Sequence, residues 1–186
     1  MIALHLLRHA DAGDPAAWDG PDDLRPLSPK GRRQAARLAG HLAAAGYTVD
    51  VILTSPRVRA VETAEILGDA LGLEPVMEPR LAEPLGPSDL TAILAEAGNP
   101  GRPVLVGHDP DFSDLLTLLT GVRAVMRKGA LARLDLALPV EPGAAQLAAL
   151  LPPELLPRQP VPHRDSDSTE PQAGQSTINQ PARVRP

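Results

Sequence analysis

Two arginines and two histidines stand near the ends of predicted strands, where they would reach the same edge of a sheet. Arg8 and His9 directly follow an apolar run near the N-terminus, and His108 follows another after Gly107. Arg59 stands one turn into the helix predicted after a third such run, whereas Arg57 is predicted to be solvated. A guanidinium beside a helix N-terminus suits phosphate, because its fixed fork of donors matches phosphoryl oxygens. The sequence therefore predicts a local anion site.

Short apolar runs and helical spacings alternate along the chain. The runs predict strands at residues 2–7, 51–54, 104–106 and 131–138, and favour an edge strand at 145–151. Apolar residues recur at helical spacing in four places: Leu38 and Leu42, Val61 and Ala64, Leu90 and Leu94, and Leu115 and Leu119. Strands alternating with helices predict an α/β domain with an open, mostly parallel sheet.

Three helix starts are predicted from a capping side chain followed by proline. They are Ser28-Pro29, Ser55-Pro56 and Asp109-Pro110, and the last two come just after predicted strands. In open α/β sheets, ligands collect at the carboxyl ends of the strands, where helix N-termini offer free amides. The candidate site is therefore expected there.

Composition narrows the classes of function. The net charge is −5 with a pI near 5.5, and there is one residue each of Trp, Tyr and Phe, which argues against nucleic acid as a partner. There are no cysteines, so disulfides, thiolate metal sites and a cysteine nucleophile are excluded. No apolar run approaches the roughly 20 residues that span a bilayer, and residues 1–7 do not resemble a signal peptide. The sequence predicts a cytoplasmic location without membrane association.

A change in composition divides the chain. Residues 1–156 are predicted to form one globular domain, and residues 157–186 a Pro-rich disordered tail. The tail holds few large apolar residues, so burial cannot offset the entropy of ordering it. His163, within it, is predicted to be solvated.

The motifs taken together resemble the histidine phosphatase superfamily, and within it the SixA-type phosphohistidine phosphatases. The motifs are Leu-Arg-His at 7–9 with Gly13 nearby, the segments 25–31 and 55–64, and Gly-His-Asp-Pro at 107–110. The resemblance covers about residues 1–156 and implies a three-layer α/β fold like that of phosphoglycerate mutase, with helices on both faces of the sheet. One departure is Ala10, which occupies the third position of the usual Arg-His-Gly triplet and cannot readily take a conformation reserved for glycine.

The resemblance also implies a mechanism without metal or cofactor. His9 would attack phosphorus and become phosphohistidine, which water then hydrolyses. Arg8, Arg59 and His108 would bind the phosphoryl oxygens. Glu83 stands roughly where the superfamily carries its proton donor, which a phosphoester requires and a phosphoramidate requires less. His5 and His9 share a strand face, but no third metal ligand is evident, so His5 is expected to pack or hydrogen-bond within the fold.

The substrate is predicted less sharply than the site. A compact domain without an inserted lid favours phosphohistidine on a phosphotransfer protein over an enclosed small molecule. A small-molecule phosphomonoesterase of the same fold is the first alternative. A module that binds a phosphorylated protein without turnover is the second. The sequence does not predict an oligomeric state.

Overall fold

The computed structural model describes residues 1–157, which form a six-stranded sheet with helices on both faces. The strands are β1 (Ile2–Arg8), β2 (Val51–Thr54), β3 (Val76–Met77), β4 (Pro103–Gly107), β5 (Leu131–Leu136) and β6 (Gln146–Leu151). The helices are α1 (Pro29–Ala44), α2 (Val58–Leu71), α3 (Pro87–Glu96) and α4 (Asp111–Thr120). All predicted strands and helices are present. β3 was not predicted, because two exposed residues leave no periodic pattern.

The strand order is β3-β2-β4-β1-β5-β6. β3, β2, β4 and β1 pair in parallel, whereas β5 pairs antiparallel with β1, and β6 pairs antiparallel with β5. The prediction of a mostly parallel sheet is confirmed for the strands that carry the candidate residues. Parallel strands end at the same edge, so residues far apart in sequence meet there.

The core has one layer on each side of the sheet. α1 and α2 pack their buried side chains, including Leu38, Leu42 and Leu67, against one face. α3 and α4 pack Leu90, Ile93, Leu115 and other apolar residues against the opposite face. This arrangement confirms the three-layer fold with helices on both faces. Burial of such leucine and isoleucine side chains contributes about 1.5–3 kcal/mol each.

The three predicted helix starts have different outcomes. Ser28 caps α1 as predicted, since its Oγ accepts a hydrogen bond of 3.0 Å from the amide of Gly31. α2 begins only at Val58 and α4 only at Asp111, with no side-chain cap on either. The predictions that Ser55 and Asp109 cap these helices are therefore wrong. Both side chains instead hydrogen-bond to other side chains, His108 and Ser113 respectively.

The first turn of α1 packs tightly against the loop that follows β1. A Cβ added to Gly31 would lie 1.9 Å from the carbonyl oxygen of Asp11, so only glycine fits this approach. Among residues 1–157, no helix is long and apolar enough to cross a membrane. The predicted tail, with His163, lies outside the described residues except for residue 157.

Candidate active site

Strand register brings the two candidate histidines side by side. β1 and β4 are adjacent parallel strands in which Arg8 pairs with Gly107. The next residues, His9 and His108, therefore leave the sheet at the same level, and the amide of His9 donates to the carbonyl of Gly107 at 2.9 Å. Their ring centroids are 5.2 Å apart. The site is thus built at the carboxyl edge of the sheet, where the sequence predicted it.

His9 is held in one orientation and one tautomer. Its Nδ1 lies 2.7 Å from the carbonyl oxygen of Ala10, which can only accept, so Nδ1 carries the proton and Nε2 has the free lone pair. Burial lowers the pKa of His9 to about 3, and the charges of Arg59 and Arg8 act in the same direction. At neutral pH His9 is therefore a neutral imidazole whose Nε2 can attack an electrophile.

Ala10 fits the position that the family fills with glycine. It is fully buried, and its amide donates to Thr63 Oγ1 at 3.1 Å. Among the described residues other than glycine, positive φ occurs only at Asn99, so Ala10 has an ordinary backbone conformation. The substitution therefore leaves the His9 loop unstrained.

His108 is held beside His9 by a hydrogen bond with Ser55. Its Nε2 lies 2.8 Å from Ser55 Oγ, and that hydroxyl also accepts a weak bond of 3.4 Å from the amide of Arg57. Because the hydroxyl oxygen accepts there, we assign its proton to the bond with His108 Nε2, which leaves Nδ1 protonated. Burial, aided by the neighbouring His9, lowers the pKa of His108 to about 3. His108 is thus a neutral hydrogen-bond donor.

The two predicted arginines are anchored by backbone carbonyls and carboxylates. Arg8 Nη1 donates to the carbonyl of Met126 at 2.7 Å and lies 3.5 Å from Asp109 Oδ2. Arg59 is 4% exposed, and its Nη1 donates to the carbonyl of Asp22 at 2.7 Å, while its Nη2 lies 3.0 Å from that residue's Oδ2. Both guanidiniums are therefore fixed before any ligand arrives.

Polar atoms without partners mark the space between these side chains. Among residues 1–157, Arg8 Nε, Arg59 Nε and His108 Nδ1 are buried and find no hydrogen-bond partner. A buried donor left unpaired costs about 1–3 kcal/mol, and native proteins retain such groups chiefly where a ligand or water satisfies them. Arg8 ends β1, His108 directly follows β4 beside His9, and Arg59 lies in α2, where its charge acts on His9. Together they suit an oxyanion with several acceptor atoms.

Two acidic residues that the sequence analysis did not single out, Asp22 and Asp23, pair with the arginines around the candidate site and form an arginine network with them. Asp22 binds both Arg25 and Arg59, and the hydrogen bond from Arg25 lowers the pKa of Asp22 below its ordinary value. Asp23 Oδ1 lies 3.0 Å from Arg57 Nε, although without hydrogen-bonding geometry. The interpretation of Arg57 as a solvated arginine is wrong, because this side chain is partly buried and also donates to a backbone carbonyl, that of Ala82. Local sequence gives no signal for contacts across 30 or more residues.

Glu83 stands at the edge of this network. It follows the 3-10 turn Pro79–Ala82 and is exposed to solvent, next to the carbonyl that Arg57 binds. Burial raises the pKa of the nearby Asp111, and the charge of Glu83 acts in the same direction. The role of Glu83 as a proton donor stays a prediction.

His5 lies within the fold, where it makes two hydrogen bonds. Its Nδ1 donates to the carbonyl of Pro103 at 3.0 Å, and its Nε2 accepts from the hydroxyl of Tyr47 at 2.7 Å. Within residues 1–157, no group of three or more His, Cys, Asp or Glu side chains is arranged to hold a metal ion.

The lowered histidine pKa values predict how stability depends on pH. A histidine in the unfolded chain titrates near pH 6.5, whereas buried His9 in the folded chain stays neutral down to about pH 3. Between these values the unfolded chain binds more protons than the folded chain. The contribution of neutral His9 to the free energy of unfolding is complete above pH 6.5 and is lost as the pH falls toward 3. In urea unfolding between pH 6 and pH 4.5, His9→Gln is expected to lower the slope of unfolding free energy by about 1.4 kcal/mol per pH unit. An unchanged slope in His9→Gln would show that His9 is not buried in its neutral form.

Comparison with known proteins identifies the class that this fold and site define. Residues 4–89 match the histidine phosphatase superfamily, branch 1. An uncharacterised protein from Picosynechococcus is 40% identical over 119 residues, which cover 61% of this chain and 70% of that protein. The chain belongs to the histidine phosphatase superfamily.

Two further relatives indicate where within the superfamily it stands. The structure of the protein histidine phosphatase SixA complexed with tungstate superposes with a TM-score of 0.69 at 25% identity, covering 82% of this chain and 98% of that chain. The 8-oxo-(d)GTP phosphatase of Mycolicibacterium smegmatis is 36% identical over 104 residues, or 54% of this chain. The matched segment spans only 32% of that enzyme. These similarities confirm the predicted resemblance to SixA-type proteins and support phosphatase activity.

Proposed function

We propose that this protein hydrolyses phosphohistidine on a phosphotransfer protein through a covalent phosphohistidine intermediate on His9. The observation that carries the proposal is the set of buried, unpartnered donors beside a neutral, oriented imidazole. The likeness to SixA, a protein histidine phosphatase solved with tungstate, supports it, because tungstate is a tetrahedral oxyanion like phosphate.

The reaction needs two displacements at phosphorus. In the first, the lone pair of His9 Nε2 attacks phosphorus while the P–N bond to the substrate imidazole breaks, and that imidazole takes up a proton. In the second, water attacks the phosphorus, the P–Nε2 bond breaks, and inorganic phosphate leaves with the proton that water releases. His9 returns to its neutral form after each cycle.

Electrostatics supplies the catalytic stabilisation. The equatorial oxygens gain negative charge in the transition state, and Arg8, Arg59 and His108 offer donors already fixed by their other bonds. The proposal requires no metal ion, since the two guanidiniums supply the positive charge. Asp22 accepts from one N–H of Arg59 Nη1 and pairs with Nη2, and Nε, which has no partner among the described residues, is available to a phosphoryl oxygen.

The openness of the domain supports a protein substrate. Between α2 and His108 the chain contains β3, a 3-10 turn and the ten-residue α3, with no insertion long enough to enclose a small molecule. Small-ligand sites normally bury most of the ligand surface. An open edge instead admits a phosphohistidine displayed on another protein.

A phosphomonoesterase is the alternative that one residue favours. Glu83, next to the arginine network, would protonate an alkoxide leaving group, whereas an imidazole leaving group is easier to protonate. We expect Glu83→Gln to leave phosphohistidine turnover within threefold of wild type and to lower phosphoester turnover about 10²-fold or more. Steady-state kinetics on both substrates measure this, with exposed Glu141→Gln as control. Equal losses on the two substrates would contradict the preference for phosphohistidine.

The proposal is tested by presenting wild type with a phosphohistidine protein and with a panel of small phosphoesters. Preference for the phosphohistidine protein, measured as kcat/KM, supports it. Activity on esters alone would assign a small-molecule phosphatase, and binding without turnover of either substrate would assign a non-catalytic module.

A further inference from the structure

A basic groove begins at the nucleophile site and runs along α1. It has a volume of about 750 Å³ and includes Arg8, which the proposed function assigns to binding the phosphoryl group. Six cationic side chains line it: Arg8, Lys30, Arg33, Arg37, Arg127 and Lys128. Two carboxylates line it in the described part of the chain, those of Asp11 and Glu154. This concentration of positive charge is notable in a chain whose net charge is −5.

The α1 side of the groove carries free positive charge. Lys30, Arg33 and Arg37 recur at spacings of three and four, which places them on one helix face over roughly 10 Å of axis. Within the part of the chain that the structure describes, none of the three forms an ion pair. Lys30 and Arg33 are exposed, whereas Arg37 donates to the carbonyl of Pro153 at 3.3 Å.

The opposite side of the groove is tied to the catalytic loop. Lys128 Nζ lies 3.0 Å from Asp11 Oδ1, and Gly129 donates its amide to the carbonyls of Arg8 and His9. The hydrogen bond from Ser28 and the bond to Lys128 lower the pKa of Asp11 to about 2, against the opposing effect of partial burial. These contacts therefore fix the position of the groove relative to His9.

An apolar patch adjoins the basic groove at the residues they share, Arg127 and Glu154. It is a shallow cavity of about 300 Å³ that includes Val125, Leu150 and Leu155. Val125 is 73% exposed and Leu155 is 75% exposed. A basic surface beside exposed aliphatic side chains is suited to a protein partner, since charges steer association while apolar contacts retain the partner.

We infer that the basic groove and the adjoining apolar patch dock an acidic surface of the phosphoprotein substrate, next to its phosphohistidine. This inference rests on the proposed function and adds how the substrate is recognised. A small polyphosphate fits the features less well, because its binding would not use the apolar patch and would leave the ligand mostly unburied. Charge complementarity across the groove would act mainly on the association of the two proteins.

The test compares one large and one small substrate. The large one is an acidic histidine-phosphotransfer domain phosphorylated with phosphoramidate, and the small one is free phosphohistidine. We expect the double variant Lys30→Glu/Arg33→Glu to lower kcat/KM for the phosphoprotein about 10–100-fold, and to leave free phosphohistidine within twofold. Arg123→Glu, an exposed arginine that does not line the groove, should change neither substrate by more than twofold.

A second pair of variants tests the apolar patch. Val125→Ser is expected to raise KM for the phosphoprotein about threefold or more, whereas Val76→Ser, exposed on β3, should not. The inference is overturned if the charge variants lose activity on both substrates equally, if they affect neither, or if they lose activity on a small polyphosphate instead. If wild type does not turn over phosphohistidine in either form, the proposed function itself fails. These two failures are therefore distinguishable.

Discussion

Replacing His9 with alanine is expected to reduce phosphatase activity by at least about 10⁴-fold, to the limit of detection. Its Nε2 is the atom that the structure leaves free and oriented, because Nδ1 is fixed to the carbonyl of Ala10. Without that atom no covalent intermediate forms, and removal of a nucleophile produces losses of this size. The measurement is kcat on the best substrate found in the comparison proposed above.

The matched control for this loss is His41→Ala, a change at an exposed histidine of α1. It should keep wild-type activity, and His9→Ala should keep a cooperative unfolding transition. A folded His9→Ala protein with more than 10% of wild-type activity would show that another group attacks phosphorus.

Replacing Arg59 with alanine is expected to lower kcat/KM by about 10²–10³-fold. Its guanidinium is buried and fixed by Asp22, and its Nε has no hydrogen-bond partner among the described residues. Loss of one preorganised donor to a developing negative charge has effects of this magnitude. Arg59→Lys should recover only part of the activity, because an ammonium group supplies the charge without the planar fork.

Two comparisons separate this effect from a loss of folding. Arg32→Ala removes an exposed arginine that pairs with Glu62, and should leave kcat/KM within threefold of wild type. Thermal unfolding of Arg59→Ala identifies any destabilisation from the loss of the contacts between Arg59 and Asp22. If Arg59→Ala is folded and its activity stays within threefold of wild type, Arg59 does not stabilise the transition state.

The meeting of His9 and His108 could be predicted from the sequence because it depends on strand ends. Each histidine comes two residues after the end of a short apolar run, and parallel strands bring such positions to one edge. The pairing of Arg8 with Gly107 then sets the two rings side by side. Local pattern and general topology were sufficient for this part of the site.

The supporting contacts could not be predicted, because they compete with local preferences. Ser55 and Asp109 precede prolines and resemble helix caps, yet their side chains bind His108 and Ser113. Asp22 contacts Arg59, which lies 37 residues away in the sequence, and no periodic pattern in the sequence predicts such a pair. These supporting contacts depend on the tertiary structure alone.

The most direct test of the central claim is to trap the phosphoenzyme. Wild type is mixed with excess phosphohistidine substrate, quenched within milliseconds in alkali, digested, and analysed by mass spectrometry. The account predicts a phosphoryl group on His9 that is stable in alkali and labile in acid, and that is absent from His9→Ala. Turnover with no phosphoryl group on His9 at any quench time, or with the group on another residue, would contradict it.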